Sequence, residues 1–520
     1  MPQADQPHCD SPPIETAVQP IPPRYWWLKR IGIAVGVLFV ALFALRLWWG
    51  WEANRRLQAE IDRIIAAGEP IYPEDFDPKE EIPDDQNAAR LLILAMERVS
   101  FTSEQQQLYE KIIYEPELVQ MHLVEVRGIV ESSKGALMLA RRARGLPGID
   151  WGVRMRTPAI NFMLPNLSGQ RSLSKLMSLA ARYHHFAGND GEAIEILRDA
   201  LSHSENFNQH PTLISQLVAW ACEAFTIRTL EEILPSLRIT PDDETTVSRM
   251  GAASHSQIRS LIAEFLDERP LRDGMRQAMM CERIYQVDIH NELMQGNTTM
   301  SALIGWQGPP PINVPDVIWR HALGPAITLD IVANLRDTTL LVEAADTASY
   351  SGVPDVEDDS MEASGFQSLL HPFRDSLVAS LDRAFVLYFR MLARRREAGT
   401  ALAVRLYEID HGRRPDTLSE LVPEYIPHLP EDVFAEEGQT LRYSPNALHP
   451  MIYSIGDNGL DQGGKSEKWA DIVFFLDGWR PEDEVAEEGS GNSSQTGEDD
   501  DDVENEEGEA DEDESGEEEP

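Results

Sequence analysis

A short run near the C-terminal end of the chain combines acidic and amide side chains with glycine. Residues 456–464 read Gly-Asp-Asn-Gly-Leu-Asp-Gln-Gly-Gly, and Asp471 follows after a short interval. Calcium binds six to eight oxygens, and a glycine-rich loop can turn backbone carbonyls inward while carboxylates supply charge. The same residue types also form ordinary turns, because Asp, Asn and Gly tolerate left-handed backbone. A cation site and a simple turn are therefore both open interpretations of this run.

Other residues whose side chains could bind a metal or catalyse a reaction give weaker evidence of a site. His184 and His185 are adjacent in sequence, and adjacent positions of a helix do not share a face, which argues against a common metal ion. The run Asp288–Glu292 mixes oxygen and nitrogen ligands but has no structural context that would assign it a role. The sequence contains no glycine-rich phosphate loop, nucleophile elbow or CxxC motif. We therefore predict that the protein is not an enzyme. The alternative is a membrane-anchored hydrolase with an unrecognised site in the helical region.

The charge of the chain is concentrated at one end. The 520 residues carry a formal net charge of −43, and residues 481–520 hold 21 Asp or Glu and no Lys or Arg. Such a segment cannot bury enough apolar surface to offset the entropy of ordering, so we predict a disordered acidic tail. A docking arm for a basic partner or a weak cation sponge is the functional alternative. The overall acidity excludes direct nucleic-acid binding as the expected function, because that class carries a basic footprint.

An apolar run over residues 31–51 contains a single charged residue, Arg46. As a helix it would extend about 31 Å, which matches the hydrocarbon core of a bilayer. Aromatic residues flank both ends, as in the interfacial belt of a spanning helix. They are Tyr25, Trp26, Trp27, Trp48, Trp49 and Trp51. We predict one transmembrane helix behind a leader of residues 1–30. The short leader favours a cytoplasmic N-terminus and an extracytoplasmic domain, although basic residues flank both sides of the run.

The middle of the chain has a helical period. Residues 52–86 are predicted to form a helical stalk and then an acidic linker, because four prolines follow Ile65. Apolar spacing from residue 87 to 372 predicts a helical bundle or a short solenoid. Within it, Leu176–Leu201 resembles a single tetratricopeptide-type hairpin, in which Ala180 and Ala193 would allow close helix approach. No 34-residue array accompanies this hairpin.

Residues 373–480 predict a small α/β module. A long helix is expected from about Phe373 to Asp410, because apolar residues recur every three or four positions. Arg394, Arg395 and Arg396 lie on this helix and are expected to form a solvated face that pairs with nearby acids. Three short strands follow, at 441–444, 451–454 and 471–475. The predicted fold class is mainly α, with one transmembrane helix, this small module and the acidic tail.

The order of motifs in this module resembles the globular domain of the major pseudopilin of type II secretion. The matching stretches are Tyr407–Pro415, Leu418–Pro427, Tyr453–Gly464 and Ala470–Ile472, and they fall within about 70 residues of the chain. The resemblance implies a long helix that leads through a leucine-rich turn into a short sheet. Pseudopilins carry their hydrophobic helix at the mature N-terminus, whereas here over 300 residues separate the two features. Assembly into a pilus-like fibre is therefore not expected.

The resemblance also implies a calcium site in the Asp/Gly loop. By position Asp471 matches the second ligand aspartate of the family, and the first falls at Asn458, which is a neutral ligand. Asp457 and Asp461 could compensate for the missing charge. The sequence as a whole is typical of a bacterial membrane protein. We expect a single-pass cell-membrane protein with a structural or protein-interaction role, whose partner is an unknown envelope protein.

Overall fold

The computed structural model describes ten segments of the chain and leaves the predicted leader to residue 24 and the predicted tail from residue 481 outside the described range. The described residues are 25–77, 81–99, 101–114, 118–152, 154–159, 166–242, 251–299, 316–354, 374–465 and 470–479. As predicted, the chain is mainly helical and contains one long apolar helix near the N-terminus.

Helix α1 spans Trp26–Ala66 and has two different halves. Its apolar window has a mean hydropathy of 2.3 and no buried residue, and the helix is long and apolar enough to span a membrane. The second half packs on the folded domain through Leu57, Ile61 and Ile64, which share a core cluster with Leu335. The predicted stalk is therefore helical over this part of the chain, and its apolar face is packed against the domain.

The first group of helices forms a layer against which the predicted hairpin packs. This layer consists of α2 (Ala88–Glu97), α3 (Ser103–Tyr114), α4 (Leu118–Met121), α5 (Leu123–Ser132) and α6 (Lys134–Arg144). The hairpin itself is present as α7 (Leu167–Phe186) and α8 (Asp190–Asn208). Gly188 between them has φ of 82°, a backbone conformation that L side chains rarely adopt. Helix α6 packs against α2 and α8, and α5 packs against α7.

Six further helices complete the bundle in the described part of the chain, and the last of them is the longest after α1. They are α9 (Leu213–Ile233), α10 (His255–Leu266), α11 (Arg269–Gln295), α12 (Asp316–His321), α13 (Gly324–Ala344) and α14 (Arg374–His411). Helix α13 packs against both α1 and α11. Helix α14 contacts α9, α10 and the C-terminal strands, and it therefore connects the helical region to the end of the described chain.

Two small sheets are present in the described residues. Strands β1 (Ile239–Thr240) and β2 (Ala253–Ser254) pair in parallel beside the start of α10. Strands β3 (Arg442–Ser444), β4 (Met451–Ser454) and β5 (Ile472–Phe475) form an antiparallel sheet in the order β3-β4-β5. The three predicted strands therefore exist, and α14 leads into them through a turn at Leu418–Leu421.

One hydrophobic core runs through the bundle and the sheet. Its buried members extend from Leu92 on α2, through Leu197 and Phe385, to Ile452 and Phe474 on the strands. The C-terminal sheet is thus packed into the same core as the helices. A fragment that begins at α14 would expose this shared surface to water.

Candidate functional site

The predicted ligand Asp471 lies at the start of β5, where it is nearly fully buried. Its carboxylate accepts hydrogen bonds from the backbone N–H groups of Gln462, at 3.1 Å, and Gly464, at 2.7 Å. A carboxylate that accepts two backbone N–H groups fixes the course of a loop. Asp471 therefore closes the Asp/Gly loop onto the sheet.

The other three predicted ligands have separate partners. Asp457 forms an ion pair with Arg390 on α14, and Asn458 Oδ1 accepts the N–H of Leu460 at 2.9 Å. Asp461 Oδ1 accepts the N–H of Gly463 at 3.0 Å. Within the described segments, no group of three His, Cys, Asp or Glu side chains gathers around a common point. In this conformation the four residues act as local acceptors and do not form a ready calcium cage, so calcium binding stays a prediction.

We expect Asp471→Ala to lower the free energy of unfolding by about 1–3 kcal/mol in calcium-free buffer, because the N–H groups of Gln462 and Gly464 lose the carboxylate that accepts from them. Thermal unfolding measures this change in a chain that ends at Arg480, because such a chain lacks the acidic tail and its diffuse calcium binding.

Millimolar calcium added to the unsubstituted protein distinguishes a calcium site from a simple turn in this loop. A rise in Tm that disappears in Asp471→Ala would establish the metal site, and an unchanged Tm would leave a structural turn.

The adjacent histidines His184 and His185 and the run Asp288–Glu292 each contribute a side chain that connects separate parts of the fold. His185 lies between Asp190 Oδ1, at 2.6 Å, and Ser236 Oγ, at 2.9 Å, and links α7 to the end of α9. Asp288 accepts the hydroxyl of Thr157 at 2.7 Å and the N–H of Ala159 at 2.6 Å. Both carboxylate oxygens of Asp288 are therefore used to hold the 157–159 segment against α11.

The arginine cluster on α14 is the largest departure from the sequence-based expectation. Arg395 is fully buried and Arg396 is 8% exposed, so the prediction of a solvated face is wrong for these two residues. Arg395 Nη2 donates to Glu205 Oε1 at 2.8 Å, and Nη1 lies 3.1 Å from Glu223 Oε1. Arg395 also donates to the backbone carbonyls of Phe265 and Asp267 at the end of α10. Through this one buried cation, α14 is joined to α8, α9 and α10.

A second group of buried charges lies under the end of β4. The Asp432 carboxylate accepts the Ser454 hydroxyl at 2.6 Å, the Ile455 N–H at 3.1 Å and Arg442 Nη1 at 2.7 Å. Glu397 on α14 accepts the Ser454 N–H at 3.2 Å and is fully buried. Burial raises the pKa of Glu397 well above its usual range. This group attaches the Tyr-Ser-Ile-Gly stretch of the strand to the long helix.

The raised pKa of Glu397 predicts a pH dependence of stability. The folded protein retains a proton on Glu397 that the unfolded chain releases, so the free energy of unfolding falls as pH rises above the ordinary Glu pKa. Glutamine keeps an oxygen to accept the Ser454 N–H and cannot ionise. We expect Glu397→Gln to be about 1–3 kcal/mol more stable than the unsubstituted protein at pH 8 and equal to it near pH 4.

Thermal unfolding across this pH range provides the measurement. Glu424→Gln is the matched control, because Glu424 is exposed and its substitution removes an equal charge. A Glu397→Gln curve parallel to that of the unsubstituted protein would show that Glu397 is ionised in the folded state.

An open groove lies between the end of α5, helix α6 and the turn of the α7–α8 hairpin. Its volume is about 560 Å³. Buried Val130 and Ile196 and half-buried Leu137 and Tyr183 supply apolar surface, and Met138 is 63% exposed at its edge. The polar lining residues are Glu131, Lys134, Arg141, Arg142, His184, Asn189 and Glu192. A concave surface with apolar patches and a polar rim suits a polypeptide ligand.

The basic side chains of α6 divide into two sets. Arg141 and Arg144 bind acids of α8: Arg141 Nη2 lies 3.0 Å from Glu192 Oε1, and Arg144 Nη1 lies 3.0 Å from Asp199 Oδ1. Burial raises the pKa of Asp199 to about 6 despite these two cations. Lys134 and Arg142 are exposed and form no ion pair with any described residue. The groove therefore presents two available cations.

A second cleft, of about 930 Å³, lies between α10, the start of α11 and residues 425–431. Its arginines are engaged: Arg269 lies 2.6 Å from Asp267, and Arg272 lies 2.7 Å from Glu268. Arg259 donates to the carbonyl of Glu424 at 2.6 Å. The charges of this cleft are therefore used within the fold.

The sequence reasoning missed the groove. A signal was present in α6, whose eleven residues include four basic side chains and no acid in an otherwise acidic chain. The apolar side chains of the groove come from four helices, α5 to α8, and no single stretch of sequence carries a pattern that predicts them.

Comparisons with protein-family models, with curated proteins and with solved structures find no match to this chain. The fold and the groove define a general class, namely a mainly helical protein with one membrane-length apolar helix and an open concave surface. The pseudopilin resemblance of the C-terminal residues stays a prediction.

Proposed function

We propose that this is a single-pass membrane protein whose helical domain binds a polypeptide partner close to the membrane surface. The observation that carries the proposal is the continuity of α1. Its first half has the length and hydropathy for a bilayer, and its second half is packed into the domain. Arg46 Nε also donates to the carbonyl of His321 at 3.1 Å, next to the start of α13.

Polar as well as apolar contacts fix the second half of α1 to the domain. Glu60 of α1 is buried and lies 3.2 Å from Arg336 of α13, which adds a polar contact to the apolar one. A helix that is fixed to the domain at several points leaves little freedom between membrane and domain. The groove would therefore be held at a fixed distance from the membrane surface, as expected for a scaffold or adaptor on the extracytoplasmic side of the cell membrane.

The membrane part of the proposal predicts the fractionation behaviour of the protein. The full chain should stay in the membrane fraction after a high-salt wash, because salt screens electrostatic attachment but does not extract an inserted helix. A chain that begins at Glu52 should appear in the soluble fraction. Release of the full chain by salt would contradict the membrane anchor.

A reporter fused after Arg480 should be active outside the cytoplasm, and activity only inside the cytoplasm would reverse the proposed orientation.

The binding part is tested by site-specific photocrosslinking in the intact membrane. A photoreactive residue at Met138, on the groove edge, should form a crosslink to a polypeptide. Met121 on α4 is the matched control, because it is the same residue type, is 70% exposed and lies outside the groove. Equal crosslinking at the two positions would contradict a role for the groove.

A further inference from the structure

The last described residues of the chain pack against the end of α9. Gly478 packs against Pro235 and the backbone of Glu231 at the end of α9. Pro235 is followed by Ser236, whose hydroxyl lies 2.9 Å from the ring of His185. His184, the neighbour of His185 on α7, lines the groove. The last described residues are therefore linked, through Pro235, Ser236 and His185, to α7, the helix that also carries His184 of the groove.

The charge of the following residues is opposite to that of α6. Residues 481–520 contain 21 acids and no basic side chain, and they continue directly from this end of the chain. The groove offers Lys134 and Arg142 without acidic partners among the described residues. A forty-residue polar chain has a root-mean-square span of about 35 Å, which is enough to pass from the end of α9 to a neighbouring surface.

We infer that the groove formed by helices α5 to α8 binds acidic polypeptide segments, and that its occupant is the chain's own C-terminal tail, residues 481–520. The inference rests on the proposed function, because it names the ligand class of the same groove. Tethering gives the tail an effective concentration of about a millimolar at a nearby site. A partner would gain access to the groove only by competing with the tail, which makes the tail an intramolecular occupant of the binding surface.

The experiment uses the full chain in detergent, the chain that ends at Arg480, and a fluorescent peptide of Glu498–Pro520. Fluorescence anisotropy should show binding of the peptide to the tail-less chain and at least about tenfold weaker binding to the full chain, whose groove is filled. The affinity should fall steeply from about 0.1 M to about 1 M salt, since the attraction is between exposed charges.

Paired substitutions locate the binding surface. Lys134→Glu with Arg142→Glu should weaken peptide binding to the tail-less chain by at least about tenfold. Arg259→Glu with Arg269→Glu, in the second cleft, is the matched control and should leave the affinity unchanged. Circular dichroism and thermal unfolding establish that both double variants are folded. A basic peptide of the same length should not bind to the groove.

Several results would overturn the inference. Equal peptide binding by the full and the tail-less chain would show that the tail does not occupy the site. Loss of binding in the second-cleft variant alone would place the tail elsewhere. Absence of peptide binding together with a Met138 crosslink to another protein would reject the tail as occupant and retain the groove as a binding surface. Absence of both would reject the proposed function as well.

A direct readout on the intact protein complements the peptide experiment. Amide hydrogen exchange should be faster in α6 and at the α7–α8 turn when the tail is removed, because these backbone segments lose their cover. Exchange in α13, which lies away from the groove, should be unchanged. Identical exchange of α6 in both chains would contradict intramolecular occupancy.

Discussion

Replacing Arg395 by alanine should lower the free energy of unfolding by about 3–5 kcal/mol, because it leaves buried carboxylates without their cation. Glu223 is fully buried, and burial raises its pKa, as it raises the pKa of Glu205 to about 7. Removal of the guanidinium also deprives the carbonyls of Phe265 and Asp267 of a donor. The loss would separate α14 from α9 and α10. Chemical denaturation of the purified protein measures the change.

Two further variants make this result specific. Arg383→Ala removes the same residue type from an exposed position of the same helix and should change stability by less than about 0.5 kcal/mol. Arg395→Met combined with Glu223→Gln removes both charges together and should recover part of the loss, because no uncompensated charge remains at that pair. Equal stability of Arg395→Ala and Arg383→Ala would show that the buried cation is not a structural element.

Asp432→Ala should lower the free energy of unfolding by about 3–5 kcal/mol and release the C-terminal sheet first. The Asp432 carboxylate accepts from a hydroxyl, from the N–H groups of Ile455 and Phe434, and from Arg442. Alanine leaves the buried Ser454 hydroxyl and Ile455 N–H without this acceptor and removes the carboxylate that pairs with Arg442. Hydrogen exchange of β4 and β5 should therefore increase more than that of α7.

The control for this prediction is Asp416→Ala, whose side chain is 88% exposed and lies 3.5 Å from Arg413. We expect no measurable change there, since surface ion pairs contribute about 0–1 kcal/mol. Asp432→Asn should be intermediate, because it keeps one acceptor oxygen and loses the charge that binds Arg442. A uniform increase in exchange over the whole chain would show instead that the sheet and the bundle unfold as one unit.

The sequence predicted the elements well where local patterns decide them. The α7–α8 hairpin followed from helical spacing and from the turn at Gly188, and the long helix α14 begins and ends within one residue of its predicted limits. These features depend on neighbours in sequence, and a periodic pattern of side chains is enough to specify them.

The candidate sites were predicted less completely because they depend on partners that are distant in sequence. The four residues predicted as calcium ligands lie in one loop and directly before β5, and each side chain accepts from its own donor. Whether carboxylates converge on a cation depends on the turn of the backbone, which the residue types alone do not fix. The groove depends on how α6 crosses α7 and α8, and no local pattern encodes that crossing.

By itself the sequence determined the apolar helix near the N-terminus, the mainly helical character and the position of the excess acidic charge, because composition and periodicity are local properties of the chain. Only the tertiary structure decided the environment of individual charges. Three adjacent arginines on a helix are usually solvated, but Arg395 is fully buried because acids and carbonyls from α8, α9 and α10 meet it there. The same holds for the second half of α1, whose apolar face became an interface only because α13 supplies the opposite surface.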